Sequence, residues 1–167
     1  TTLLNNKILL TNENNVFCVD DEIINLAGVI GGKNSACRKE TKSAIIECAY
    51  FLPDAIIGKT IKYDIKSEAA YKFERGVDPE IQDYVLRRFI SIVQDHVKIK
   101  NMQICLYDYM TIPKIKIPFN TDKINKILGI NISDKKFENI LLKLGFKIHE
   151  NYIKVPSYRN DIKTQND

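Results

Sequence analysis

Three short stretches of this sequence carry residue types that could perform chemistry. They are the glycine-rich run at 26–32, the segment around the carboxylate Glu47, and the polar stretch at 67–79. Glycines allow a ligand to approach the backbone closely. A carboxylate between apolar neighbours must face water or find a polar partner, because burying an unpaired charge is costly. Together these features are compatible with a small binding pocket.

Glu47 allows two interpretations. On an alternating strand Ile45, Glu47 and Ala49 share one face, so Glu47 could be an exposed strand position. Alternatively it lies at the floor of a pocket that the glycine-rich run faces, with the small residues Ser67 and Ala69 at the border. The glycine-rich run is not a P-loop, because no Gly-Lys-Ser/Thr follows it. The residues alone leave both interpretations open.

Two aspartates near the end of the sequence form a weaker candidate site. Asp161 and Asp167 are six positions apart, and carboxylates could share a hard cation if further oxygen ligands converged on it. From spacing alone, a frayed, solvated tail is the simpler explanation of the same residues.

The composition is that of a globular protein, with 44% hydrophobic and 28% charged residues and a net charge of +4. No apolar run approaches the roughly 20 residues that span a bilayer, so we expect no membrane partner. The four cysteines lack C-x-x-C spacing and both histidines lie far from them, which argues against zinc. We expect free, buried thiols in a reducing cytoplasm.

The pattern predicts two domains, at 1–110 and 111–167. In the first we predict a hairpin, two further strands and two helices: the hairpin from 7–10 and 16–19, a buried strand at 44–51, a final strand at 98–109, a helix from Pro53 to about Lys62, and a helix that Asp78 caps. In the second we predict a strand at 114–119, a helix capped by Thr121 and ended by Gly129, a helix capped by Ser133 and ended by Gly145, and a hairpin at 146–155. The order of elements in the second domain, strand, helix, helix and hairpin, is winged-helix-like.

Several of these motifs resemble one known family. The runs Leu26-Ala27-Gly28-Val29-Ile30-Gly31-Gly32, Glu47-Cys48-Ala49-Tyr50-Phe51 and Tyr71-Lys72-Phe73-Glu74-Arg75-Gly76-Val77-Asp78-Pro79 occur in the order and spacing of the editing domain of bacterial phenylalanyl-tRNA synthetase β subunits. Further runs resemble the small domain that follows in the same subunit: Ile124-Asn125-Lys126-Ile127-Leu128-Gly129, Leu144-Gly145-Phe146 and Val155-Pro156-Ser157-Tyr158-Arg159-Asn160-Asp161. The resemblance implies an α+β fold, in which the C-terminal half of the editing domain precedes a winged-helix-like domain.

The resemblance also implies a function. The family enzyme is an α2β2 assembly whose α subunit uses ATP to attach phenylalanine to tRNA(Phe), while the β subunit hydrolyses tyrosine wrongly attached to that tRNA. The tyrosine-reading glutamate of the family matches Glu47. Other pocket positions match small residues of this sequence: Ala27, Gly28, Gly31, Ser67 and Ala69. Asp161 and Asp167 match the first two acidic positions of a shared Mg²⁺ site.

This sequence departs from the family pattern in places. Ser67-Glu68-Ala69 stands where the family usually has Thr-Asp-Ala, and Tyr158 and Asn160 replace a usual Trp and Phe. The resemblance implies that the sequence is an internal piece, since the first half of the editing domain, with a histidine near the pocket, would lie before Thr1. We therefore expect no editing by this piece alone.

Two other functions remain open at the level of sequence. The winged-helix-like order and many lysines suggest a nucleic-acid-binding module, although Asp134 and Glu138 interrupt the basic residues that a DNA-reading second helix would need. The sequence could also be the inactive product of a split gene.

Overall fold

The structure, a computed structural model, describes residues 1–109 and 111–167. It divides into two compact units, one formed by residues 1–77 and 82–86 and the other by residues 78–81 and 87–167. Met110, the last residue of the predicted first domain, lies outside the described residues. Each unit combines short helices with a three-stranded antiparallel sheet. Within the described ranges, no helix has the length and apolarity that a membrane crossing requires.

The sheet of the first unit is built from β1 (Val16–Val19), β2 (Glu22–Leu26) and β3 (Ile30–Gly31), in that order. The predicted pairing of residues 7–10 with 16–19 is wrong, because residues 7–10 form no strand. Instead β1 pairs with the strand that follows it, β2. The turn explains this pairing. Asp20 adopts a left-handed φ of 51°, a conformation that aspartate tolerates better than most residues.

Three short helices follow in the first unit: α1 (Pro53–Ile56), α2 (Lys59–Lys62) and α3 (Glu68–Phe73). The predicted start at Pro53 is confirmed, but the predicted single helix is split, because Gly58 has a φ of 78° and interrupts it. Helix α3 was not predicted. It begins after Ser67, whose side chain accepts a hydrogen bond from the backbone of Ala70.

Both additional strands predicted in the first domain are wrong. Residues 44–51 and 98–109 form no β-ladder within the described residues. Their apolar side chains remain largely in solvent, as Ile45 (87% exposed) and Leu106 (88% exposed) illustrate. A strand needs a neighbour for its backbone hydrogen bonds, and the described residues provide none beside either segment. The thiols of Cys18, Cys37 and Cys105 are free as expected, but exposed instead of buried.

Helix α4 (Gln82–Gln94) begins three residues later than the predicted capping residue Asp78 implies. The Asp78 carboxylate instead accepts a hydrogen bond of 2.9 Å from the backbone of Glu80, two residues on. The expected packing of one helix face on a core is also wrong, since no residue of α4 is buried. Val85 and Phe89, at helical spacing on that face, are each 42% exposed.

The second unit contains β4 (Lys116–Pro118), α5 (Thr121–Leu128), α6 (Asp134–Lys143), β5 (Lys147–Ile148) and β6 (Tyr152–Lys154). Its sheet order is β4-β6-β5. The two predicted helices and the C-terminal hairpin are confirmed. The cap of α5 is corrected from Thr121 to Asn120, whose side chain accepts from the Lys123 backbone at 2.9 Å. Gly129 ends α5 in the left-handed conformation as predicted. Ser133 precedes α6, but its side chain makes no capping bond.

Each unit has its own apolar core. In the second unit the buried residues are Ile117, Leu141, Phe146, Ile153, Val155 and Ile162. In the first they are Leu26, Val29, Ile56, Ile65 and Ala70, against which Phe51 and Phe73 pack edge to face with ring centroids 4.9 Å apart. Gly28 lies against this core with a φ of 68°, and a Cβ there would come within 2.7 Å of Ile56 Cδ1 and 2.8 Å of Phe51 Cδ2.

The substitution Gly28→Ala should therefore destabilise the protein. The new methyl group overpacks the core, which typically costs about 1–3 kcal/mol, and the left-handed backbone adds roughly 1 kcal/mol. Gly58→Ala is the matched control, since Gly58 also has a positive φ but a Cβ there would meet no atom within 4 Å. Urea unfolding followed by circular dichroism should show a clearly larger loss for Gly28→Ala. Equal losses would mean that the close contacts at Gly28 are not present in solution.

Candidate functional site

The turn between β2 and β3 gathers the sequence motifs of the first unit. Ala27 and Val29 are buried, at 5% and 4% exposure, and Gly28 between them turns the chain. Gly31 on β3 lies opposite Asn25 on β2 in the antiparallel ladder. Three of the predicted pocket residues (Ala27, Gly28 and Gly31) therefore belong to one tight hairpin, whose shape the close approach of the core to Gly28 helps to fix.

Glu47 lies on an irregular segment and is an exposed residue, so its predicted place on a buried strand is wrong. Its carboxylate nevertheless has a defined partner. The side chain of Asn25 donates a hydrogen bond of 3.2 Å from Nδ2 to Glu47 Oε2. Because Asn25 immediately precedes Leu26 at the end of β2, this contact attaches Glu47 to the strand that leads into the Ala27–Gly28 turn.

The electrostatics of this segment distinguish Glu47 from an ordinary surface carboxylate. Although most of the residue is in solvent, its carboxyl group is partly covered, and this burial raises the pKa of Glu47 above its usual value of 4.5. Burial also raises the pKa of the neighbouring Cys48 thiol, and the charge of Glu47 adds to that effect. Cys48 donates to the backbone carbonyl of Gln82 at 3.4 Å. The charged form of Glu47 is thus held in a setting that disfavours it.

Ser67 connects α3 to the same turn. Its hydroxyl donates to the backbone carbonyl of Val29 and accepts from the backbone N–H of Ala70 at 3.1 Å. The single hydroxyl proton is therefore committed to Val29, so Ser67 shapes this region without a free donor for a ligand. Of the two alanines that follow, Ala69 is exposed while Ala70 is completely buried in the core.

The structure thus attaches two separate motifs to one hairpin, Glu47 through Asn25 and Ser67 through Val29. Asn25 is the residue that sequence reasoning missed. The sequence marks Asn25 only weakly, as a polar residue inside a β-strand, one position before the apolar and glycine residues of 26–32. Surface concavities of about 410 and 340 Å³ occur elsewhere, at residues 94–99 and beside α5, and no predicted pocket residue lines either one.

The later part of the polar stretch at 67–79, from Tyr71 to Arg75, has a structural role. The Arg75 guanidinium lies over the ring of Tyr71, 3.6 Å from its centroid, and donates to the Tyr71 backbone carbonyl at 2.9 Å. Arg75 also forms an ion pair with Glu74. These contacts stabilise the end of α3 and the turn that follows it.

The two C-terminal aspartates are both engaged by the protein. Arg159 donates to both carboxylate oxygens of Asp161, at 2.8 and 2.7 Å, which lowers the pKa of Asp161. Oδ2 of Asp167 accepts from the backbones of Lys163 and Thr164, and these bonds lower the pKa of Asp167. The charge of Asp161 opposes that lowering, so the two carboxylates sense each other. Their oxygens suit Mg²⁺ in type but not in number, since residues 1–109 and 111–167 contain no cluster of three or more His, Cys, Asp or Glu side chains that could hold a metal ion.

Comparison with known protein families assigns both parts of the chain. Residues 1–98 match the model of the B3/4 domain, and residues 117–167 match that of the tRNA synthetase B5 domain. The first match contains the β2–β3 hairpin with Glu47 and Ser67. The second contains α5, α6, β5, β6 and all of β4 except Lys116.

Similar curated proteins cover nearly the whole chain. The phenylalanine–tRNA ligase β subunit of Chlamydia caviae is 35% identical over 174 residues, which is 99% of this chain and 22% of that protein. The corresponding subunit of Ehrlichia canis is 30% identical over 98% of the chain, and that of Idiomarina loihiensis is 28% identical over 99%. The chain spans about a fifth of the length of these relatives. It belongs to the family of phenylalanine–tRNA ligase β subunits, of which it carries the B3/4 and B5 domains.

Proposed function

We propose that this chain is the part of a phenylalanine–tRNA ligase β subunit that takes part in hydrolysing Tyr-tRNA(Phe), and that its second unit serves as scaffold. The complete enzyme would be an α2β2 assembly in which the α subunit attaches phenylalanine to tRNA(Phe) with ATP. The observation that carries the proposal is the attachment of Glu47, through Asn25, to the hairpin that contains Ala27, Gly28 and Gly31.

A second site is needed because of a limit on discrimination. An apolar pocket built for phenylalanine rejects an added hydroxyl only weakly, by about a hundredfold. A site that hydrogen-bonds the tyrosyl hydroxyl discriminates more sharply, because phenylalanine would leave its polar group unpaired. Glu47 supplies that polar group. Its ionised carboxylate accepts a hydrogen bond from the phenolic hydroxyl, while Asn25 holds one of its oxygens.

The small residues of the hairpin leave space in which the tyrosyl ring can bind. With no side chain at Gly28 and only a methyl group at Ala27, the backbone of the turn can approach a planar ring closely. Ser67 fixes the distance between α3 and the turn through its bond to Val29, and the exposed Ala69 borders the space beside it. Hydrolysis is then attack of water on the aminoacyl ester, accelerated by positioning of the ester and without a nucleophile from the described residues.

Other parts of the complete enzyme contribute to both reactions. The 167-residue chain alone is not expected to edit, since it spans only about a fifth of its relatives. Asp161 and Asp167 would contribute two carboxylates to a Mg²⁺ site that requires further ligands from elsewhere, and Asp161 would have to exchange its Arg159 partner for the ion.

Replacement of Glu47 tests the proposed reading of tyrosine. In the complete enzyme, Glu47→Ala should slow hydrolysis of Tyr-tRNA(Phe) by about tenfold or more, since a hydrogen bond to a charged group is worth about 1.5–3 kcal/mol. Synthesis of Phe-tRNA(Phe) should not change. Both rates are measured with radiolabelled aminoacyl-tRNA.

Glu22→Ala is the matched control for this experiment. Glu22 also accepts a 3.2 Å hydrogen bond from an asparagine side chain, that of Asn34, but it lies at the far end of β2. The Glu22→Ala variant should leave unchanged both the hydrolysis of Tyr-tRNA(Phe) and the synthesis of Phe-tRNA(Phe). Unchanged clearance of Tyr-tRNA(Phe) by Glu47→Ala would remove Glu47 from the proposed role.

The raised pKa of Glu47 makes a prediction about stability and pH. A carboxyl group whose pKa is higher in the folded than in the unfolded state binds its proton more tightly when folded. Its favourable contribution is therefore complete below the unfolded value and is lost as the pH rises through the folded one. Glu47→Gln keeps a hydrogen-bond acceptor for Asn25 but removes the charge.

Relative to the unmodified protein, Glu47→Gln should therefore become progressively more stable as the pH rises from about 4 through the folded-state pKa of Glu47, after which the difference should stay constant. Urea unfolding at a series of pH values measures this difference. A trend of opposite sign for Glu47→Gln would mean that the folded protein favours the ionised form, contrary to a partly covered carboxyl group.

A further inference from the structure

The solvent face of the second sheet carries a row of three lysines. In the register of the strands Lys116 lies opposite Lys154, and Lys154 lies opposite Lys147. Residues directly opposite each other in antiparallel strands point to the same side. Their neighbours Ile117 and Ile153 point to the other side, where they are 2% and 8% exposed in the core. One lysine from each strand thus forms a continuous row across the sheet.

This arrangement is unfavourable by itself. Like charges directly opposite on neighbouring strands destabilise a sheet, and Lys154 on the central strand has such a neighbour on both sides. Ion pairs elsewhere in this unit include Lys114 with Glu80 and Arg159 with Asp161. Among the described residues no carboxylate lies within 4 Å of the ammonium groups of the row. Positive charge is therefore concentrated here without a neighbouring carboxylate to neutralise it.

The distribution of charge along the sequence supports a specific use of this face. Residues 114–167 contain eleven Lys and Arg against six Asp and Glu, whereas residues 1–113 contain fourteen against fifteen. The net charge of +4 thus comes entirely from the C-terminal third. An anionic partner would be attracted to this unit and not to the first one.

Aromatic rings continue the lysine row on the same face. Tyr152, two positions before Lys154 on β6, lies opposite Pro118 and is half-buried. The ring of His149 stacks on it, with centroids 4.5 Å apart and planes 18° from parallel. The ammonium group of Lys116 lies 4.9 Å from the Tyr152 centroid. A basic row beside an aromatic stack matches the two parts of a single-stranded nucleic acid, its phosphates and its bases.

We propose that the β4-β6-β5 face binds a single-stranded segment of RNA, with its phosphates along Lys147, Lys154 and Lys116 and a base beside Tyr152 and His149. A sheet face beside the exposed ring of His149 suits unstacked bases, whereas reading duplex DNA requires an element that enters a groove. RNA is also the polymer named for the B5 domain's family, the tRNA synthetases. The proposal rests on family membership but not on editing, because the face lies in the second unit.

The test compares two triple variants of the 167-residue chain that have the same net charge. The first replaces the row, as Lys116→Gln, Lys147→Gln and Lys154→Gln. The second replaces three lysines of α6, as Lys135→Gln, Lys136→Gln and Lys143→Gln. Each lowers the formal net charge from +4 to +1. Binding of a fluorescent single-stranded RNA of about 12 nucleotides, within the site sizes of sheet-based binders, is followed by anisotropy over a range of salt concentrations, with a duplex DNA of equal length as a second probe.

The row variant should bind RNA at least about tenfold more weakly at low salt, with a salt slope shallower by about 2, because each phosphate contact with a single strand contributes roughly 0.7. The α6 variant should lose less than about threefold. Tyr152→Leu should weaken binding without changing the slope, while Tyr152→Phe should bind like the unmodified chain. If the triple row variant fails to fold, Lys154→Gln at the centre of the row tests the same point.

Several results would overturn the proposal. Equal losses in the two triple variants would show that only total charge matters, and a larger loss in the α6 variant would favour a helix that reads DNA. Absence of RNA binding by the unmodified chain, or tighter binding of the duplex DNA, would also contradict it. None of these results depends on hydrolysis of Tyr-tRNA(Phe), so they leave the proposed editing role untouched.

Discussion

The β2–β3 hairpin is the constraint on which the first unit depends. Its turn is closed by Gly28, where the approach of Phe51 and Ile56 leaves no room for a side chain. Leu26 and Val29 on either side belong to the buried core. Every other part of the candidate site is attached to this hairpin by a hydrogen bond. If the turn shifted, the core and the candidate site would change together.

Two hydrogen bonds turn this structural element into a candidate for function. Asn25 fixes the carboxylate of Glu47, and Val29 receives the hydroxyl of Ser67. Neither bond strengthens a regular element of the sheet, and partial burial raises the pKa of Glu47 by disfavouring its charged form. Groups held at some cost to stability are typical of functional sites. The hairpin therefore combines a rigid frame with a polar group that the frame itself does not need.

The sequence predicted local signals better than long-range pairing. Pro53 and Gly129 marked helix ends correctly because proline and glycine act through their own backbone geometry. The segments at 44–51 and 98–109 were misjudged, because a strand depends on a partner that composition cannot supply. The family resemblance predicted that Glu47 shares a pocket with the glycine-rich run, which stays a prediction, whereas its actual partner, Asn25, is seen only in the structure. The lysine row could not be predicted from the sequence either, because only the strand register brings these three distant residues side by side.

The central claim is that Asn25 holds a partly covered Glu47 carboxylate beside the hairpin. A pH titration by NMR that follows the side-chain carbon of Glu47 and the side-chain amide of Asn25 tests it most directly. The structure predicts a pKa above 4.5 for Glu47, with the Asn25 amide shifting at the same midpoint. A Glu47 that titrates at or below its ordinary value, together with an Asn25 amide that does not respond, would contradict the account.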